Sequence, residues 1–146
     1  MSSLSSLLVP GCRVGVVGSR DFSSPSLVES FVVSLPEGSV VVSGAGGVVD
    51  LAAAEAGRFA GLEVLEFPAE WSRFGRGAGM LRNRKIVSAG LDVLVVFLSD
   101  PGCPSRGSAS SMGLARAAGI PVFVFGPDGE SEGGGKKALI EQLKLF

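Results

Sequence analysis

The sequence predicts an α/β protein, specifically a Rossmann-like three-layer α/β/α sandwich with a mainly parallel sheet of about five or more strands. Short β-branched runs alternate with helical patterns along the chain, which is typical of right-handed βαβ units. The runs are almost continuously apolar, as expected of parallel strands covered by helices on both faces. Glycine accounts for 22 of the 146 residues and clusters where the apolar runs end, which indicates tight turns between buried elements.

Predicted strands and predicted helices alternate along the chain. The strands cover residues 13–17, 39–42, 63–67, 92–98 and 121–125. The helices cover residues 25–35, 50–60, 77–89, 108–118 and 136–145. Ser24 and Pro25 indicate the start of the first helix, and Gly61 indicates the end of the second.

The length fits one domain over residues 1–146, which is long enough to bury a core. We expect residues 1–12 to form a loose N-terminal segment. Residues 126–135 are acidic and glycine-rich, and they are predicted to be a flexible loop within the domain because only one helix follows them.

The composition excludes several kinds of chemistry. The chain has no histidine, which excludes His-based triads and His-ligated metals. Its cysteines, Cys12 and Cys103, are too few for structural zinc, so we expect no metal. We also expect no cofactor. The two cysteines are expected at opposite edges of the sheet, where they cannot form a disulfide with each other, and reduced thiols fit a cytoplasmic protein. A net charge of −1 and the lack of a long apolar run argue against duplex DNA or a membrane as partner.

The turn after the first predicted strand carries groups that suit a phosphate. Gly18 lets backbone N–H groups approach an anion, Ser19 adds a hydroxyl donor, and the Arg20 guanidinium can donate two hydrogen bonds to phosphate. The alternative is a plain strand–helix turn in which Asp21 or Ser24 caps the following helix. In parallel sheets the carboxyl ends of the strands meet at one edge, so later turns of this kind are expected close by.

Two further turns precede helices at the same edge. The second strand ends in Ser43, Gly44, Gly46 and Gly47, where a helix N-terminus offers unpaired N–H donors and a partial positive charge. Asp50 is expected to cap this helix rather than to act as a catalytic carboxylate. The loop after the fourth strand ends in Gly107 and Ser108 before another helix, with Ser108 as its N-cap in the alternative interpretation.

A basic stretch over residues 73–85 adds cationic side chains. On a helix from Gly77, Met80, Leu81, Ile86 and Val87 define an apolar arc that also contains Asn83 and Arg84. Arg82 and Lys85 are predicted to face outward. A buried guanidinium needs a partner, so Arg84 is expected to meet an internal carboxylate or an anionic ligand. The alternative is a solvated helix face.

These motifs together define the candidate site. The candidate ligand-binding residues are Gly18, Ser19, Arg20, Ser43, Gly44, Gly46, Gly47, Arg82, Asn83, Arg84, Gly107 and Ser108. Among the carboxylates near strand ends, which are Asp21, Glu70 and Asp100, the best placed for catalysis is Asp100.

The chain resembles the SLOG superfamily, which groups Smf/DNA-processing proteins with the Lonely Guy phosphoribohydrolases (the lysine decarboxylase-like proteins), and above all its small single-domain YspA/YpsA-related branch. The likeness spans about residues 13–125. It rests on Gly18-Ser19-Arg20-Asp21-Phe22, Ser43-Gly44 through Asp50, Phe67-Pro68-Ala69-Glu70-Trp71, Gly79 with Arg82-Asn83-Arg84, and Gly107-Ser108 with Ala118-Gly119-Ile120-Pro121-Val122. The resemblance implies a Rossmann-like fold that binds nucleotide-type ligands at this edge, commonly as a homodimer.

The departures from that family weaken the expectation of catalysis. The glutamate that Lonely Guy enzymes use for N-glycosidic cleavage is missing after Gly107-Ser108. An arginine usual in the second turn is replaced by Gly47-Val48, which removes one possible phosphate contact. We therefore expect a nucleotide-binding sensor or carrier module. One alternative is an N-glycosidic hydrolase of nucleoside 5′-monophosphates that uses Asp100. Another is single-stranded nucleic-acid binding through residues 73–85, with Trp71 and Phe74 stacking on bases.

Overall fold

The computed structural model describes residues 3–129, and it confirms the predicted α/β Rossmann-like fold. Among these residues the sheet has five strands, all parallel, in the order β3-β2-β1-β4-β5. They are β1 (Arg13–Gly18), β2 (Val40–Ser43), β3 (Glu63–Glu66), β4 (Val93–Phe97) and β5 (Val122–Phe125). Each lies within a residue or two of a predicted strand. The predicted helix 136–145 and most of the predicted loop 126–135 lie outside the described residues.

The helices form two layers around this sheet. They are α1 (Leu4–Leu7), α2 (Pro25–Val33), α3 (Val48–Phe59), α4 (Trp71–Phe74), α5 (Ala78–Val87) and α6 (Arg106–Ala117), with a 3₁₀ turn at Gly75–Gly77. Helices α2 and α3 pack together on one face, and α5 and α6 pack together on the other. Alternate strand residues feed the two cores, so that Val14 and Val16 face α2 and α3 whereas Val17 faces α5 and α6.

Residues 3–12 belong to the N-terminal segment that was expected to be loose, and two of their side chains are buried in the core. Leu4 is fully buried against the α2 side of the sheet, and the Ser3 side chain accepts a hydrogen bond from the Ser6 N–H at the start of α1. Cys12 is also buried, with its Sγ 3.4 Å from Ser39 Oγ. The burial of Leu4 stabilises this attachment by removing apolar surface from water.

Strand order reverses beside β1, because the chain moves outward through β2 and β3 and then returns to β4 on the other side. In parallel sheets a crevice opens at such a reversal, outside the carboxyl ends of the two central strands. The fold therefore places a candidate site after Gly18 of β1 and Phe97 of β4.

Within residues 3–129, none of the helices is long and apolar enough to cross a lipid bilayer.

Candidate functional site

An open cleft of about 810 Å³ lies at this reversal point. Its volume is within the range of about 300–1,000 Å³ that is usual for small-molecule sites. The turns after β1, β2 and β4 line it, together with residues along α5, the start of α6, and Trp71 and Arg76 before α5. Its walls comprise residues 17–21, 44, 46, 47, 50, 71, 76, 79, 80, 82, 83, 86, 99, 100, 103, 105–108, 110 and 111.

The turn after β1 is held tightly against the turn after β4. A Cβ added to Gly18 would lie 2.1 Å from the Phe97 carbonyl oxygen, so only glycine fits at this close approach. The Ser19 N–H donates to the same Phe97 oxygen at 2.9 Å, and Ser19 Oγ accepts from the Ser99 N–H at 3.0 Å. Since a hydroxyl also carries one donor hydrogen, Ser19 can still donate into the cleft.

The turn after β2 is filled by the chain's own carboxylate. Asp50, in the first turn of α3, accepts a hydrogen bond from the Gly46 N–H at 2.9 Å, and the Val48 N–H donates to the Arg20 carbonyl oxygen at 3.0 Å. The prediction that Asp50 caps this helix is wrong in its position: the N-cap residue is Gly47, and Asp50 lies in the first turn, where it accepts a hydrogen bond from an N–H that precedes the helix. The predicted phosphate cradle therefore has internal partners for at least two of its N–H donors.

Arg82 reaches this turn from α5. A Cβ on Gly44 would lie 2.6 Å from Arg82 Nη1 and 3.0 Å from Asp50 Oδ2, so the two charged groups converge above a glycine. Burial raises the pKa of Asp50 above its ordinary value, while the hydrogen bond from Gly46 and the nearby Arg82 charge act in the opposite direction. Asp50 is therefore a largely buried carboxylate whose hydrogen bonds and nearby positive charge only partly offset the cost of burying its charge.

Asn83 connects α5 to the start of α6. Its side chain is buried, Oδ1 accepts from Arg82 Nε at 2.9 Å, and Nδ2 donates to the Gly107 carbonyl oxygen at 3.4 Å. Asn83 therefore orients the Arg82 guanidinium and joins two walls of the cleft.

The predicted orientation of the two flanking arginines is wrong. Arg82 is half-buried and lines the cleft, whereas Arg84 is exposed and lies outside it. Met80 was predicted to belong to the buried apolar arc of this helix, but it is 47% exposed and lines the cleft. The buried face of α5 consequently centres on Ala78, Asn83 and Ile86, and this rotation exchanges the positions of the arginines.

Helix α6 begins two residues before the predicted start. Ser105 is its N-cap: the Ser105 Oγ accepts from the Ser108 N–H at 3.3 Å and lies 3.1 Å from Ser108 Oγ. The alternative with Ser108 as N-cap is therefore wrong. Ser108 is buried in the first turn, and Gly107 is exposed beside it. The N–H groups of Arg106 and Gly107 have no intrahelical acceptors at this position.

Arginines outnumber carboxylates along the cleft. Arg20, Arg76 and Arg106 are exposed, and none of them forms an ion pair with another residue of the 3–129 region. Asp100, the candidate catalytic residue, is exposed, and its Oδ1 accepts from the Gly102 N–H at 3.0 Å. These exposed guanidinium groups are available to an anionic ligand in the cleft.

Most of the predicted ligand-binding residues lie in the cleft, but Ser43 and Arg84 do not. Ser43 is completely buried, and its Oγ has no hydrogen-bond partner among the described residues. Arg76, Arg106 and Trp71 also line the cleft, but they are not among the candidate ligand-binding residues predicted from the sequence. Arg76 belongs to the basic stretch and Arg106 directly precedes Gly107, so both lie in segments that the sequence had indicated. The sequence did not show which side of each segment faces the cleft.

The fold and the cleft define a Rossmann-like α/β protein with a ligand-sized cleft at its strand-order reversal. No protein-family profile matches the chain, and no solved structure matches it. Over 58 residues, or 40% of this chain, it is 45% identical to the gene 61 protein of Mycobacterium phage D29. The match spans 44% of that phage protein, which is less than half of its length. Membership of the SLOG superfamily stays a prediction.

Proposed function

We propose that this chain binds a nucleotide or a nucleotide-derived phosphorylated ligand in the cleft, as a sensor or carrier module. The observation that carries the proposal is the convergence of Arg20, Arg82 and Arg106 on one cleft at the β1/β4 reversal. Guanidinium groups form charge-assisted, often bidentate hydrogen bonds with phosphate oxygens, and this cleft leaves several of them without an ion-pair partner in the described region.

The geometry favours one end of the cleft for the phosphate. Because Asp50 already takes the Gly46 N–H, the turn after β2 is a poor anion site. The first turn of α6 offers the Arg106 guanidinium, and the helix dipole adds partial positive charge there. Arg82 is joined to this turn through Asn83, which accepts from Arg82 Nε and donates to the Gly107 carbonyl oxygen. Asp50 is instead suited to accept hydrogen bonds from the hydroxyl groups of a sugar.

Arg82 and Arg84 provide a matched pair for the test. They lie on the same helix and differ in that Arg82 lines the cleft and Arg84 does not. Purified protein is screened by thermal shift against the nucleoside 5′-monophosphates, ADP-ribose and cyclic nucleotides, and binding is then measured by calorimetry. Arg82→Ala is expected to weaken binding by about tenfold or more, since a hydrogen bond to a charged group contributes about 1.5–3 kcal/mol. Arg84→Ala is expected to bind as the wild type does.

Two results contradict the proposal. One is a screen in which no phosphorylated ligand binds. The other is equal loss of affinity in both variants, which would mean that the arginines act through general charge and not through contact in the cleft.

If the protein is a hydrolase instead, Asp50 is a second candidate for the catalytic carboxylate beside Asp100. Asp100 is exposed, whereas Asp50 is largely withdrawn from water within the same cleft. Release of free base from AMP, lost in Asp50→Asn or in Asp100→Asn, is the result that would favour this alternative.

Single-stranded nucleic-acid binding has less support from the geometry of the basic stretch. Arg73 lies over the Phe74 ring at 4.8 Å, and Glu70 pairs with Arg73 and with Lys85. The stretch therefore does not present one uninterrupted basic face.

A further inference from the structure

Trp71 is the chain's single tryptophan, and it lines the cleft while 53% exposed. Met80, 47% exposed, also lines the cleft. The lining therefore includes exposed apolar side chains as well as the charged groups of Asp50 and Arg82, which converge near Gly44. Such a lining suits a ligand that has both a flat apolar part and hydroxyl or phosphate groups.

The indole is held in place by its surroundings. A Cβ on Gly79 would lie 3.3 Å from Trp71 Cη2, so the absence of a side chain at position 79 leaves room for the ring edge. The preceding residue, Glu70, pairs with Lys85 of α5 at 3.8 Å, and this contact ties α4 to α5. The ring therefore rests on α5 with about half of its surface open.

We infer that Trp71 stacks on the nucleobase of the ligand, and this inference rests on the proposed function. Base–aromatic stacking tolerates any base, because every base has a π face, and it is strongest for large ring systems. The ring lines the same cleft as Asp50 and the arginines, which the proposed function assigns to the sugar and the phosphate. Trp71 is thus a specificity residue that separates nucleotides from sugar phosphates without a base.

Phe74 provides the matched control. It belongs to the same short helix and is 40% exposed, but it does not line the cleft. Trp71→Ala, Trp71→Phe and Phe74→Ala are compared with the wild type, with each of the four common nucleoside 5′-monophosphates, ADP-ribose and ribose 5-phosphate as ligands. Calorimetry gives the affinities. Because the protein has one tryptophan, its fluorescence on excitation at long wavelength reports on the ring directly.

We expect ligands with a base and ribose 5-phosphate, which has none, to respond differently to the loss of Trp71. Base-bearing ligands quench Trp71 fluorescence, and Trp71→Ala weakens their binding by about 5- to 140-fold, which corresponds to the usual worth of one stacked base. Ribose 5-phosphate binds the wild type and Trp71→Ala with equal affinity. Trp71→Phe recovers most of the loss, and Phe74→Ala binds as the wild type does.

The outcomes separate this inference from the proposed function. If nucleotides and ribose 5-phosphate bind the wild type equally well, the stacking role is overturned while phosphate binding stands. If none of these ligands binds, the proposed function fails and the inference fails with it. If the protein sediments as a dimer that Trp71→Ala dissociates, the ring belongs to an interface between copies, and the stacking role is again overturned.

Discussion

Gly18 ends β1 at a point where the backbone of β4 leaves no room for a side chain. The Cβ of an alanine there would lie 2.1 Å from the Phe97 oxygen and 2.8 Å from Val49 Cγ2. Since the nearest atom belongs to the backbone, the contact cannot be relieved by a rotamer change. We expect Gly18→Ala to lower the free energy of unfolding by about 3 kcal/mol, at the upper end of usual overpacking costs, as measured by urea denaturation.

Gly107→Ala is the control for Gly18→Ala. A Cβ on Gly107 meets nothing within 4 Å, and the residue lies in the first turn of α6. Alanine there is expected to leave stability unchanged or to raise it by up to about 1 kcal/mol, because it favours helix. Equal losses in the two variants would contradict the steric argument.

The pKa of Asp50 links the stability of the protein to pH. Burial raises its pKa in the folded state above the ordinary value of 3.8. The folded state therefore binds the proton more tightly, and the stability that the neutral form supplies is lost as pH rises through the folded pKa. Asp50→Asn keeps a neutral acceptor for Gly46, so we expect it to be more stable than the wild type at pH 7. This advantage is expected to shrink on acidification towards pH 4.

The check on Asp50 is the difference in urea midpoint between Asp50→Asn and the wild type, measured across pH 4–7. Other carboxylates contribute equally to both proteins and cancel in this difference. A variant that is less stable than the wild type at pH 7, with a gap that closes on acidification, would mean that Arg82 and the Gly46 hydrogen bond outweigh burial.

The side chain of Asn83 joins α5 to α6 through its hydrogen bond to the Gly107 carbonyl oxygen. Removal of its side chain leaves the Arg82 Nε–H and the Gly107 carbonyl without their partners. We expect Asn83→Ala to cost about 1–3 kcal/mol in stability and to weaken ligand binding as much as Arg82→Ala does. Arg84→Ala, one residue further along the helix and exposed, is the control that should change neither quantity. A stable Asn83→Ala protein with wild-type affinity would show that Arg82 needs no orientation by Asn83.

The elements differ in how far the sequence could predict them. Four of the five described strands were predictable because each is a nearly continuous apolar run, a pattern that burial on both faces of a sheet requires. The exception is the edge strand β3, in which Val64 and Leu65 lie between two glutamates. The orientation of α5 was not, because Met80 is apolar but belongs to the cleft wall and not to the core. The start of α6 was missed because Ser105 and Ser108 are both good N-caps in isolation, and only the folded backbone decides between them.

In the candidate site, features set by the local sequence were predictable, and features set by contacts between distant residues were not. The glycine turns could be placed at one edge because parallel strands bring their carboxyl ends together. The pattern indicated a capping role for Asp50 at this turn, but not which N–H group it would accept from, since that depends on the rotamer of its side chain and on the approach of Arg82 from another helix.

At the scale of the whole molecule, the cleft joins parts of the chain that are far apart in sequence. The Ser99 N–H donates to Ser19 Oγ, which links the turns after β4 and β1. The Val48 N–H donates to the Arg20 carbonyl oxygen, which links the turns after β2 and β1. A ligand in the cleft would contact all of these turns at once, so its binding is coupled to the folding of the entire sheet.

This coupling predicts that a ligand stabilises the protein globally and not only at its rim. At a free ligand concentration 100 times the dissociation constant, the unfolding free energy is expected to rise by about 2.7 kcal/mol, which is roughly 8 °C in Tm for a domain of this size. Hydrogen exchange separates global from local stabilisation. With the tightest-binding nucleotide, the slowest amides of β1 and β4 are expected to slow further, because they exchange only when the sheet unfolds. Protection confined to α4 and α5, with no change in β1 and β4, would instead place the ligand on the outer wall, away from the strand-order reversal.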